Sequence, residues 1–207
     1  FRAQLATGTV AVGPTDSVTG EPLQIGTPVA QIKIPAIGVD EVVVEGTTSN
    51  ALTVGPGHRR DTPLPGQVGV SVLLGRRGTY GAPFAEISKL QPGDLISVTT
   101  GQGTFLYNVT GSRLPGDPVP APLGANGSRL TLITATGTRF LPDGVLRVDA
   151  TLRGIAVGGA PREIAFTELP PAERLLAGDT ARLWRLAIWM FALAGLAVGV
   201  VWAWARH

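Results

Sequence analysis

The chain has 207 residues, 44% of them apolar and 15% charged, with a formal net charge of +2. That charge is too small, and too little interleaved with aromatics, to point to nucleic acid. With no cysteine, and only His58 and His207 as histidines, disulfides, thiolate chemistry and Cys- or His-rich metal sites are excluded, and no cofactor is implied.

Residues 1–30 are small, polar and punctuated by Gly and Pro, an expected extended lead-in to a domain over 31–154. Short β runs at 31–34 and 42–44 flank a turn. At 49–55, Ser49 and Asn50 precede a short helical turn that Gly55 closes, and 55–66 is expected to be loop. Gly69-Val-Ser-Val-Leu-Leu-Gly75 predicts a buried strand ending at Arg76 and Arg77. Pro83 then starts one or two helical turns ending near Leu90. Residues 95–100 and 103–110 flank Gly101 and Gln102 as a hairpin. The Pro- and Gly-rich stretch 114–126 predicts a long loop that could cover a groove.

The strongest strand signal is Arg129-Leu-Thr-Leu-Ile-Thr-Ala-Thr136. Leu130, Leu132 and Thr134 share one face of an extended chain, and Thr131, Ile133 and Ala135 the other. Uncharged after Arg129, the run predicts a central strand buried on both faces. At its end, where a reactive side chain commonly sits, stands Ala135, whose methyl cannot attack, titrate or ligate. Residues 145–152 alternate again. Seven or eight short strands with scraps of helix predict an all-β closed barrel or sandwich.

Residues 155–185 are expected to form a linker and a juxtamembrane helix. From 186 to 204 the chain carries no charge for about 19 residues, enough for a transmembrane α-helix. Trp184, Trp189, Trp202 and Trp204 lie towards its ends as interfacial anchors do, and Gly195 with Gly199 forms a small-residue packing face.

Several pieces, in order and spacing over about 120 residues, together resemble a sortase. They are Ile34-Pro35-Ala-Ile-Gly38, Val44-Glu45-Gly46-Thr47, Gly55-Pro-Gly-His58, Thr62-Pro-Leu-Pro65-Gly66, Thr79-Tyr-Gly-Ala-Pro-Phe84, Leu90-Gln-Pro-Gly-Asp94 and the two strong strands. Sortases are membrane-anchored transpeptidases that join surface proteins to the Gram-positive envelope, and the chain is most similar to actinobacterial ones of class E/F type. The resemblance implies an eight-stranded β-barrel with short helices, held outside the cell by the C-terminal helix.

Sortase chemistry uses a cysteine nucleophile, a proton-transferring histidine and an oxyanion-stabilising arginine. The resemblance puts these roles at Ala135, Arg76 and Val145, so no catalytic residue is assigned; Arg147 shares the facing parity of Val145. The expectation is a catalytically inactive, sortase-like subunit of a cell-envelope or membrane protein complex. Its partners are the membrane and a membrane or cell-surface protein. The alternative is a transpeptidase or hydrolase with a non-cysteine nucleophile, Thr134 or Thr136, which requires a neighbouring base. Arg76, Arg77 and Arg147 could instead converge to hold a carboxylate or phosphate of a glycan or lipid headgroup. His58 matches a family position near the groove, and structuring a loop is its favoured role over catalysis.

Overall fold

Alternation builds the barrel. Phe105, Tyr107 and Val109 are buried while Thr104, Leu106 and Thr110 are exposed, as expected of a strand with one face on a core. The structure, a computed structural model, describes residues 5, 10–13, 15, 23–138, 142–159, 169–173 and 180–205, with side chains in the last stretch given at 187–199, 202 and 204. The chain divides into two units, Phe1–Leu176 and Ala177–His207.

The first unit holds eight strands: β1 (Pro28–Ile34), β2 (Val39–Glu45), β3 (Gly57–His58), β4 (Gly69–Leu74), β5 (Leu95–Thr100), β6 (Gly103–Arg113), β7 (Ser128–Gly137) and β8 (Pro142–Leu152). They close into a barrel in the order β1-β2-β3-β4-β7-β8-β6-β5. Antiparallel pairing of β1 with β5 seals it, and the β2–β3 and β4–β7 pairs are parallel. Ile32, Leu73, Ile96, Tyr107, Leu130 and Val148 belong to the interior cluster, each apolar side chain contributing about 1.5–3 kcal/mol of burial. The phenol of Tyr107 is satisfied there, accepting from the Gly66 amide at 2.6 Å and lying 3.1 Å from Ser128 Oγ.

The expected eight-stranded barrel is present, and β7 is buried from Leu130 to Thr134 as its uncharged run predicts. Several local expectations are corrected. Two-residue β3 lies inside the segment expected to be loop: pairing with both β2 and β4 makes it a strand, a relation no periodicity displays. The lead-in is not merely extended, because Val10 and Ala11 are buried and Val12 O accepts from Gln67 Nε2 at 2.9 Å. The turns at 49–55 and 83–90 shrink to 3₁₀ turns, Ala51–Thr53 and Ile87–Lys89. Thr48, rather than Ser49 or Asn50, accepts from the Ala51 amide at 3.2 Å.

Parts of the expected linker lie against this unit. The amide of Val157 donates to Gly66 O at 2.9 Å. Leu169 and Glu173 are buried, with Thr47 Oγ1 donating to Glu173 O at 2.7 Å and Arg60 Nη1 to Glu173 Oε1 at 3.1 Å. Apolar Val157 and Leu169, set among Gly and Pro, supply the buried surface that a free tether lacks. The rest of the expected juxtamembrane helix before Thr180 lies outside the described residues.

In the second unit, α1 (Thr180–Ala205) is the helix over the stretch expected to span a bilayer. Among the described residues, however, no helix is long and apolar enough to cross a membrane.

Candidate functional site

Strands β7 and β8 pair antiparallel, with Thr131 opposite Asp149, Ile133 opposite Arg147 and Ala135 opposite Val145. Their alternate residues Leu130, Leu132, Leu146 and Val148 enter the interior cluster. On the other face, Ile133 and Val145 join Val72 and Leu74 of β4 in a second apolar cluster, against which Leu52 packs. Around Ala135, a pocket of about 110 Å³ is lined by Arg77, Ser88, Thr134, Thr136 and Leu146, among others. Ser88 escaped the sequence analysis because it comes from a distant turn with no motif of its own.

The two hydroxyls beside Ala135 are already engaged. Thr134 Oγ1, buried, donates to the Gly75 carbonyl at 2.9 Å, which fastens β7 to the end of β4. Thr136 Oγ1 donates to Asp143 Oδ1 at 3.0 Å. The paired ends of β7 and β8 therefore place one carboxylate beside one hydroxyl, a pairing the sequence left unassigned. A carboxylate is a weak base for an aliphatic hydroxyl, and the bond's evident work is to brace the hairpin where its register shifts between Thr136 and Gly137.

Arg76 and Arg77 take different partners instead of joining Arg147 in one site. Arg76 donates to Leu52 O at 3.0 Å, to Ser49 O at 2.7 Å and to Ser49 Oγ at 2.9 Å, and lies over the Tyr80 ring at 4.9 Å from its centroid. It braces the loop before β3. Arg77 lines the pocket and donates to the Gly137 carbonyl. Arg147, partly buried, sits on β8 opposite Ile133 and, across β6, opposite Arg113. Burial pulls its guanidinium below the ordinary value, the charges of Arg113 and Arg59 act in the same direction, and Asp149 opposes them.

His58 corrects the groove expectation. It is fully buried, with Nδ1 2.9 Å from Glu45 Oε2 and Nε2 3.0 Å from the Pro63 carbonyl. Both ring nitrogens are used inside the fold, leaving no face for a ligand. Gly195 and Gly199 lie on α1, and a methyl added at either meets nothing within 4 Å. Among the described residues no group of three or more His, Asp or Glu side chains gathers as a metal site would require.

Comparisons with known proteins agree with this architecture. The Sortase domain family model matches residues 32–142. Sortase D of Bacillus subtilis is 31% identical over 83 residues, covering 40% of this chain and 40% of that protein. Sortase SrtE1 of Streptomyces coelicolor is 36% identical over 125 residues, covering 52% of this chain and 35% of that protein. The chain thus spans well under half the length of these curated relatives. The solved structure of sortase E from Streptomyces avermitilis is 34% identical, with a TM-score of 0.53, covering 73% of this chain and 100% of that one.

Proposed function

The chain belongs to the sortase family, and we propose that it is a catalytically inactive member, a membrane-anchored barrel on the extracytoplasmic side that serves as a binding or structural subunit of an envelope or membrane protein complex. One observation carries this reading. Ala135 and Val145, the positions to which the family resemblance assigns the nucleophile and the oxyanion-stabilising arginine, are hydrocarbon side chains facing one another across β7 and β8. Arg76, at the position assigned to the histidine, is spent on Ser49 and Leu52. Without a nucleophile and proton carrier, acyl transfer loses nearly all of its rate. The barrel and its hydrogen bonds remain as a scaffold for binding. Exposed Trp189, Phe191, Leu193 and Leu196 on α1 support an anchor in the bilayer, where such side chains are at home.

Co-purification from native membranes in mild detergent tests the reading. A membrane or surface protein retained in stoichiometric amount is expected, and monomer alone would overturn it.

The Thr136–Asp143 contact favours a second reading, a transpeptidase or hydrolase that uses a threonine hydroxyl as nucleophile with the carboxylate as base. An electrophilic sorting-peptide analogue distinguishes the two: an adduct on Thr136 supports this second reading, and its absence from every hydroxyl removes it.

A further inference from the structure

Outward side chains of the four central strands line up in rungs. One rung holds Leu74, Ile133, Arg147 and Arg113 on β4, β7, β8 and β6. The next holds Val72, Thr131, Asp149 and Gly111. Arg147 and Arg113 are therefore direct cross-strand neighbours, with Cβ atoms about 5 Å apart and like charges that repel. Arg113 turns away, its Nε donating to Asp149 Oδ2 at 2.6 Å. Thr131 Oγ1 takes the other carboxylate oxygen, Oδ1, at 2.6 Å. Arg59, whose charge also acts on Arg147, is closed on Asp61 through two bonds of 2.6 and 2.9 Å. The guanidinium of Arg147 has neither a hydrogen bond nor an ion pair among the described residues. Asp149 is thus already engaged by Arg113 and Thr131, and the Arg147 guanidinium beside them is left without a bonded carboxylate.

We propose that Arg147, flanked by Arg113 on the outer face of β8 and β6, is the centre of a binding site for a single carboxylate group. A planar guanidinium fork matches a carboxylate with two parallel bonds. One negative charge matches the single unbonded guanidinium, whereas a phosphate dianion brings a second charge close to Asp149. The carboxylate can belong to a free small acid or to an acidic side chain of a partner protein. The site does not depend on whether the barrel is an enzyme.

The test follows the Nε–Hε resonances of the arginines by NMR in the full chain, in mild detergent and physiological salt. The probes are acetate, a blocked aspartyl peptide, acetamide and inorganic phosphate. Acetate or the aspartyl peptide is expected to shift the Arg147 signal saturably while acetamide does not; whichever binds more tightly identifies the source of the carboxylate. Arg147→Gln is expected to weaken binding at least about tenfold while keeping the fold, since it relieves the repulsion from Arg113. Arg147→Lys, which lacks the fork, is expected to fall between the two. No saturable shift, an equal response to acetamide, undiminished binding by Arg147→Gln, or tighter binding of phosphate than of either carboxylate overturns the proposal.

Discussion

Ala135 and Val145 are cross-strand partners at the β7–β8 end of the barrel, and neither side chain carries a heteroatom. Ala135→Cys therefore supplies a thiol with no histidine beside it, and transpeptidation is expected to stay at background. Adding Arg76→His and Val145→Arg restores a proton carrier and an oxyanion donor, for a gain of about 10²-fold or more over the single variant. A sorting-peptide transfer assay reads both. Equal rates would show that the catalytic positions are misassigned.

Tyr107 predicts a loss of stability in alkali. Burial pushes its phenol above the ordinary value, while hydrogen bonds with Ser128 and Gly66 pull the other way. The folded protein keeps this proton to higher pH than the unfolded chain does. The contribution is thus complete below about pH 10 and is lost as pH rises through the folded value. Tyr107→Phe should flatten that slope and cost about 1–3 kcal/mol, because the Gly66 amide loses its acceptor. Urea unfolding at about pH 8 and about pH 11 measures both effects, the second lying above the ordinary phenol value.

His58→Ala removes one hydrogen bond of buried Glu45 and uncovers the Pro63 carbonyl. Leaving a buried hydrogen-bonding group unsatisfied costs about 1–3 kcal/mol, and loss of the packed ring adds a cavity. A drop of that size in chemical denaturation is expected, and an unchanged midpoint would contradict the bracing role of this pair.

Gly66 stands at φ +94°, and a methyl there would approach the Phe105 ring to 2.3 Å. Gly66→Ala combines a disfavoured backbone with an overpacked core, for a loss of about 2–4 kcal/mol. Thermal unfolding measures the loss. Gly93→Ala is a suitable control, because its φ of +98° carries the backbone strain without any steric contact.

The parts of the fold legible in the sequence were those carried by local pattern. The uncharged run of β7 announced a doubly buried strand, and Gly101 with Gln102 announced the hairpin of β5 and β6. What stayed hidden depended on distant partners. His58 became a strand residue only through β2 and β4, and Glu173 became buried only through Thr47 and Arg60. Ala135 could be located by motif, whereas the isolation of Arg147 required knowing that Asp149 is already spent on Arg113 and Thr131. Periodicity reports which way a side chain faces. It does not report what waits on the next strand.

The placement of β8 between β7 and β6 has a consequence for biogenesis. Until residue 152 leaves the ribosome, β7 and β6 each present an open edge with unpaired amides and carbonyls. Such edges invite pairing with other chains, and the long-range contacts that close them form slowly. The barrel is thus most exposed to aggregation just before its last strand arrives, and a chain stalled after β7 is the species a chaperone has most reason to hold.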